Sequence, residues 1–336
     1  MTQGAGSSTR RGSVQRGGKW LKSTVTFHSG TIDEVRTVIP TFERRSFGLT
    51  QADGKRSRLN EHQDIIVRAP IGADSDFVPV GVVSKEYALV QHHAVVDVVL
   101  RALEVSDISP ADVNANLQIT ECGERMALSV FLPTRYAFDP GDGNPMALRL
   151  ECLNSVDGST GFRALIGWFR FVCSNGLIIG VTRSDVRRRH VGGLTLDDVA
   201  AVLQAGLAEC EAEKRNFQLW RRTEIEFGRV EKWIDDDLRK AWGFKAATRA
   251  FHIASTGRDV TVVGPYKRHF PTTIPVRAGE AVPGAAERCR TVFDPSQVLA
   301  WLAQDRADIQ EQLSWREQIS EVLKPFIPSG QLEINL

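Results

Sequence analysis

Four arginines and a histidine are concentrated in the segment RSDVRRRH, residues 183–190. A guanidinium group stays charged and offers forked donors that match phosphate oxygens, and a histidine ring adds a partial charge or stacks on a base. Aromatic residues precede this segment in FRALIGWFRF, residues 162–171. Rings beside a basic groove hold single strands without sequence preference. The pattern predicts a nucleic-acid surface formed by Arg170, Arg183, Arg187, Arg188, Arg189 and His190.

A purely structural interpretation of the same segment, without nucleic-acid binding, stays open. The arginines would then lie on a solvated loop and pair with Asp197 and Asp198 of the following helix. The rings of residues 162–171 would be core residues of a sheet, because aromatic side chains in apolar strands are usually buried.

A second region alternates rings and positive charge, in KAWGFKAATRAFH (240–252) and GPYKRHF (264–270). A nucleic-acid contact and an amphipathic helix followed by a surface turn explain this region equally well. If it binds nucleic acid, the residues we expect to contact phosphates are Lys245, Arg249, Lys267 and Arg268.

The last six residues, QLEINL, follow a Pro-Ser-Gly break and alternate apolar side chains along an extended peptide. They resemble the hexapeptide with which bacterial proteins dock on the DNA polymerase sliding clamp. Under that interpretation the residues that fill the clamp pocket are Gln331, Leu332, Ile334 and Leu336. A frayed terminus is the competing explanation.

No segment carries a catalytic signature. The sequence lacks the phosphate-binding glycine loops, the nucleophile elbow and the paired-histidine zinc motif. The three aspartates of WIDDDL are consecutive, so on a helix they point around its surface and do not converge on a metal. The five cysteines are scattered, as expected of buried small residues in a reducing cytoplasm. We therefore expect no enzyme activity, no cofactor and no metal.

The composition sets the remaining limits. The formal net charge of the 336 residues is +1, so attraction to nucleic acid must come from local patches. The sequence contains no run of 18 apolar residues, so we expect no membrane span. Its N-terminus also lacks the apolar segment of a secretory signal. We expect a cytoplasmic protein.

Hydrophobic periodicity predicts an α+β fold. An antiparallel sheet has the order strand–strand–helix–strand–strand–strand–helix, and a mainly helical half follows it. Val95, Val96, Val99, Leu100 and Leu103 recur at helical spacing, as do Val199, Leu203, Leu207 and Cys210. The predicted units are a disordered basic tail (1–25), an α+β core domain (26–194), a helical region (195–325) and a flexible C-terminal peptide (326–336).

Several motifs resemble those of the phage- and plasmid-like proteins of domain-of-unknown-function family 932. They are a Tyr and a Val-Gln pair before a helix, an Asn-Ser-x-Asp-Gly-Ser hairpin, an Arg-x-x-Cys-x-Asn-x-Leu segment and an Arg-His pair. The matching residues are Tyr87, Val90, Gln91, Asn154, Ser155, Asp157, Gly158, Ser159, Arg170, Cys173, Asn175, Leu177, Arg189 and His190. Val156, Phe171 and Gly176 depart from the pattern, in which histidine, valine and threonine are usual.

The resemblance implies a role in mobile DNA but no established activity. The element order also resembles that of Rad-type and phage single-strand annealing proteins, a likeness of topology alone. Our leading hypothesis is a non-enzymatic protein that binds or anneals single-stranded DNA in recombination or replication, as a homo-oligomer. The alternative is an anti-restriction or other anti-defence protein that binds a host protein. A metal-dependent nuclease ranks last.

Overall fold

The computed structural model describes seven segments of the chain: residues 19–20, 23–72, 76–170, 177–179, 185–188, 196–264 and 270–327. Thirteen strands lie in these residues, and in chain order they are β1 (Lys19–Trp20), β2 (Ser23–Gly30), β3 (Phe42–Arg45), β4 (Gln63–Arg68), β5 (Val78–Ser84), β6 (Asn114–Thr120), β7 (Arg125–Phe131), β8 (Met146–Ser155), β9 (Phe162–Arg170), β10 (Leu177–Ile179), β11 (Asp185–Arg188), β12 (Arg258–Val262) and β13 (Val276–Ala281).

The described residues also contain seven α-helices. They are α1 (Ile32–Arg36), α2 (His92–Val105), α3 (Leu196–Arg222), α4 (Phe227–Trp233), α5 (Arg239–Thr256), α6 (Phe293–Gln304) and α7 (Ile309–Leu323). A π-helical turn, Ile234–Leu238, joins α4 to α5. None of the helices in the described residues is long and apolar enough to span a bilayer.

The strands form three antiparallel sheets. The large sheet has the order β1-β2-β6-β7-β8-β9-β10, and β11 also pairs with β9. The order β3-β4-β5 gives a small sheet, and β12 and β13 form a hairpin. Because β10 and β11 pair with different halves of β9, both continue the same edge of the large sheet.

The large sheet lies between helices. Alternate residues of a strand point to opposite faces, so Met146, Leu148 and Leu150 of β8 join the main core with α2 and α3. Leu153 joins a second cluster on the opposite face, where Leu313 of α7 packs. All ten residues of β8 are buried for this reason.

The main core confirms the two predicted helical faces. Val95, Val96, Val99 and Leu103 of α2 are fully buried, as are Val199 and Leu203 of α3. The cluster continues through α5 and α6, so residues of both predicted units, 26–194 and 195–325, share one core.

The predicted α+β class is confirmed. In chain order β4, β5 and α2 are followed by six strands, β6 to β11, and then by α3, where three strands were predicted between the two helices. The structure differs by placing β4 and β5 in a separate small sheet. The hairpin of β12 and β13 was not predicted, because residues 195–325 were expected to be mainly helical. Three of the six residues of β13 are glycine or charged, and the strand lacks the alternation that reveals one in a sequence.

Candidate nucleic-acid interface

Only residues 185–188 of the first basic segment, 183–190, are among the described residues. Arg187 and Arg188 lie on β11, whose register places them opposite Arg163 and Phe162 of β9. Arg183, Arg189 and His190 lie outside the described residues. The arginines of β11 are therefore positioned along the edge of the large sheet.

The rings beside this segment belong to the core. Phe162, Trp168 and Phe169 are at most 8% exposed, and the indole N–H of Trp168 donates to Glu213 at 2.6 Å. The structural interpretation of these three rings as core residues of the sheet is confirmed. They cannot stack on a base without leaving the sheet.

Arg170 is also a core residue. It is 0% exposed, forms an ion pair with Asp142, and donates to the side-chain oxygen of Gln297. Its guanidinium group lies 5.3 Å from the ring centroid of Phe293. Burial lowers the pKa of Arg170, while the charge of Asp142 opposes that shift. Arg170 was predicted to contact phosphates, but this arrangement assigns its charge to internal pairing.

The second basic region forms one wall of an open cleft of about 920 Å³. Helix α5 contributes Phe244, Lys245 and Arg249, the hairpin contributes residues of β12 and β13, and the turn from α6 to α7 contributes Asp305 and Arg306. Gly243, at φ 82°, interrupts the helical geometry of α5 here. The positive φ suits glycine and marks a kink in α5 at the cleft.

Two tryptophans line the cleft. Trp242 stacks on Trp315 of α7, with ring centroids 4.5 Å apart and an interplanar angle of 25°. The indole N–H of Trp242 donates to Gln318 at 2.9 Å, and Arg306 lies 4.4 Å from the Trp315 centroid. Trp242 is only 7% exposed, so this pair acts as a rigid wall.

Arg249 lies in the cleft, but its charge is matched. It pairs with Asp259 and with Asp305, which lies 2.8 Å away. Burial alone would raise the pKa of Asp259, but the hydrogen bond and charge of Arg249 outweigh it and the pKa is lowered. Trp301 also donates to Asp259, at 2.8 Å.

The remaining predicted residues are distributed as follows. Lys245 is exposed at the cleft. Phe270, the last residue of the second region, is 59% exposed. Lys267, Arg268 and the hexapeptide residues Gln331, Leu332, Ile334 and Leu336 lie outside the described residues.

Helix α7 lies between the cleft and the edge of the large sheet. Trp315 lines the cleft, and Glu317, two residues further on, forms an ion pair with Arg163 of β9. Arg187 of β11 is directly opposite Arg163 in the strand register. Helix α7 thus has the cleft on its Trp315 side and the Glu317–Arg163 ion pair on its other side. Sequence reasoning missed Arg163, Arg306 and Trp315, because each is an isolated residue among mixed neighbours.

A buried ionic cluster supports α7 on the sheet. Glu151 of β8 accepts from Arg149 at 2.6 Å and from Arg316 of α7 at 3.4 Å. Burial alone would raise the pKa of Glu151, but the two arginines outweigh it and the pKa is lowered. Burial lowers the pKa of Arg316 to about 10, against the opposing charge of Glu151.

The hairpin motif has a structural role. Asn154 donates through its amide to the carbonyl of Val90 and to Nδ1 of His92, both at 2.9 Å. His92 Nε2 donates to the carbonyl of Gly123 at 2.8 Å, so Nε2 carries the proton and Nδ1 accepts. His92 and Asn154 are both 0% exposed.

Other motif residues attach the small sheet to the large one. The Gln91 carboxamide accepts from the backbone N–H of Phe42 at 3.1 Å and donates to its carbonyl at 2.7 Å, as a neighbouring strand would. Tyr87 donates to the carbonyl of Ser155 at 3.1 Å. Arg125 donates to Asp157 at 2.6 Å. These motif residues therefore lie at the junction between the small sheet and the large sheet.

These features define an α+β protein with a helix-covered antiparallel sheet and a basic–aromatic cleft. The family described as "Domain of unknown function (DUF932)" matches residues 79–266, more than half of the chain. The chain belongs to this family.

One curated relative is similar to part of the chain. The UPF0380 protein YfjQ of Escherichia coli (strain K12) is 37% identical over 65 residues, 19% of this chain and 24% of the relative. The match thus covers about a quarter of that relative's length. No solved structure matches the chain.

Proposed function

We propose that this protein binds single-stranded DNA without sequence preference, as a non-enzymatic cytoplasmic accessory of recombination or replication in a mobile element. The observation that carries the proposal is the position of α7, which lines the cleft with Trp315 and pairs through Glu317 with Arg163, the residue opposite Arg187 in the strand register. A flexible single strand that passes over α7 would contact both regions, whereas separate patches would each bind weakly.

The charges of the cleft set the expected strength of binding. Lys245, Arg249 and Arg306 are balanced by three carboxylates, Asp259, Glu280 and Asp305. The cleft therefore contributes through stacking and hydrogen bonds, and the arginines of β11 supply the charge that attracts phosphates. We expect the exposed ring of Phe270 to stack on a base, which is worth about 1–3 kcal/mol per base.

The test is fluorescence anisotropy of labelled single- and double-stranded oligonucleotides over a salt series. Replacing Arg187 and Arg188 by alanine together should reduce the salt slope by about 0.7 for each lost phosphate contact. Phe270→Ala should weaken binding with little change in slope, since stacking releases no counterions.

Matched controls lie away from the proposed path. Arg101→Ala removes an exposed charge on α2, and Phe77→Ala removes a ring that is 39% exposed near the small sheet. Both should bind as the wild type does. Equal losses in these controls, or a wild type with no salt-sensitive affinity for single strands, would refute the proposal. Mixing complementary strands then tests annealing.

The sliding clamp is a proposed partner, on the strength of the QLEINL sequence alone. The test is binding of the full chain to a purified bacterial clamp. Replacing Gln331 and Leu336 by alanine together should abolish the interaction, and Glu333→Ala at a position without a motif requirement should not.

An anti-restriction role is the second candidate. The observation that favours it is the concentration of exposed apolar side chains between Val38 and Val82, together with the formal net charge of +1. Addition of the protein to a purified restriction complex would then inhibit DNA cleavage at protein concentrations where no DNA binding occurs.

A further inference from the structure

A hairpin arm projects from the small sheet between β3 and β4. The arm comprises residues 46–62. Its two strands are joined by hydrogen bonds from Asn60 N–H to the Phe47 carbonyl at 3.0 Å, from Ser57 N–H to the Leu49 carbonyl at 2.7 Å, and from Gln51 N–H to the Lys55 carbonyl at 2.7 Å.

The arm and the small sheet concentrate exposed apolar side chains. Ten large apolar side chains are exposed in the described residues, and six of them fall within 45 residues of the chain. These six are Val38, Leu49, Leu59, Ile71, Phe77 and Val82. Such concentration on one module indicates a contact surface, because single apolar residues are normally scattered.

The first strand of the arm also has a free backbone edge. Residues 47, 49 and 51 direct their hydrogen-bonding groups to the second strand. The bridge of Thr50 with Arg56 is of the type without direct hydrogen bonds between the two residues. Thr50 and Gly48 therefore direct their N–H and carbonyl groups outward, and no described residue bonds to them.

We propose that this edge pairs with the same edge of a second copy of the chain. The two strands are antiparallel, and Gly48 lies on the two-fold axis. In this register Gly48 exchanges two hydrogen bonds with its counterpart, and Ser46 exchanges two with Thr50 on each side of the axis. Every outward backbone group from Ser46 to Thr50 then has a hydrogen-bonding partner, so this edge is no longer exposed and unpaired.

The side chains favour a copy of this chain as the occupant. In the same register Phe47 faces Leu49 of the second copy, twice, at the pairs where side chains approach most closely. Arg45 is the only charge between residues 45 and 51, and it faces the neutral Gln51. The strand is therefore complementary to itself, with no like charges opposed.

The available surface is sufficient for a stable dimer. Seventeen residues between Glu43 and His62 are exposed, and the outer face of the small sheet adds Val82 and Phe77. One side of a standard interface uses about 20–30 residues. The arm and the adjoining face of the small sheet together approach that number.

The first experiment measures the mass in solution by light scattering across a range of protein concentrations. The wild type should have at least twice the monomer mass, and Leu49→Glu should convert it to monomer. Val105→Glu is the matched control: it places the same charge at an exposed apolar position of α2, outside the arm and the small sheet. Circular dichroism verifies that both variants are folded.

A monomeric wild type, or an assembly that Leu49→Glu leaves intact, would overturn the proposal. Dissociation by both variants would show that the effect of the added charge is not specific to the arm and would overturn the proposal. As a second measurement, Phe47→Cys combined with Leu49→Cys places thiols across each non-hydrogen-bonded pair, within disulfide range. Oxidation should link the double variant between copies. Without such links the register is excluded, and neither single variant should form them.

Discussion

Buried polar side chains determine how the motif residues act. Asn154 holds His92 as a neutral imidazole with its proton on Nε2, and both side chains lie in the core. A neutral imidazole fits this site because Nδ1 accepts from the Asn154 amide while Nε2 donates to the Gly123 carbonyl. The pair orders the start of α2 against the β8–β9 hairpin.

Asn154→Ala should destabilise the protein by about 2–4 kcal/mol, because it leaves His92 Nδ1 and the Val90 carbonyl buried without a donor. The measurement is the free energy of unfolding in urea. Asn114→Ala, at an exposed position of β6, is the control and should change stability by less than about 0.5 kcal/mol. A similar loss in both variants would contradict the role of Asn154.

Glu151→Gln should be more severe, at about 3–5 kcal/mol, because Arg149 and Arg316 would be left as uncompensated buried charges. The lowered pKa of Glu151 means that its contribution to stability is complete above its ordinary pKa of 4.5. The contribution is lost as the pH falls through the lower pKa of the folded state. Unfolding curves between pH 7 and pH 3 should therefore decline more steeply for the wild type than for Glu151→Gln. Parallel declines would refute this assignment.

Helix packing is set by residues that allow close approach. A Cβ at Gly206 of α3 would lie 2.4 Å from Ile166 Cγ2 of β9, so the helix rests directly on the sheet at this point. At Gly228 of α4 a Cβ would meet nothing within 4 Å. The two glycines are chemically identical and differ only in their surroundings.

Gly206→Ala should therefore destabilise the protein by about 1–3 kcal/mol through overpacking against Ile166. Gly228→Ala should be neutral or stabilise by up to about 1 kcal/mol, because alanine restricts the unfolded chain and favours helix. Thermal unfolding of the two variants measures the contrast. Equal effects would show that α3 does not contact β9 as described.

At the scale of the whole molecule, α7 connects elements that are remote in sequence. It contacts the sheet through Arg316 and Glu151 and the cleft through Trp315. If the proposed path is continuous, oligonucleotide length should control how the two regions interact. A strand of about 4 nucleotides reaches one region, and one of about 16 spans both.

We therefore expect a thermodynamic cycle between Lys245→Ala, at the cleft, and the alanine variant of Arg187 and Arg188 to depend on the length of the oligonucleotide. With the short strand, removing either region should leave the other's affinity unchanged. With the long strand, the combined variant should lose the gain in affinity that comes from linked contacts. Anisotropy titrations at one salt concentration measure both cases. The same behaviour at both lengths would show that the regions bind separately.

The sequence by itself determined the elements whose burial pattern is local. Valines and leucines at helical spacing predicted the buried faces of α2 and α3, and apolar-rich runs on either side of turn residues predicted β6 to β9. These patterns are readable because each residue's environment follows from its position in a single element.

Only the tertiary structure decided which charges are available for a ligand. Arg170 and Arg249 look alike in the sequence, yet Asp142, 28 residues away, pairs with the first, and Asp305, 56 residues away, pairs with the second. Strands β3, β4 and β5 likewise form a sheet of their own, and Phe42 of β3 contacts Gln91 across 49 residues. Charge compensation and sheet assembly depend on distances across the fold, and residue types and spacing along the chain do not contain them.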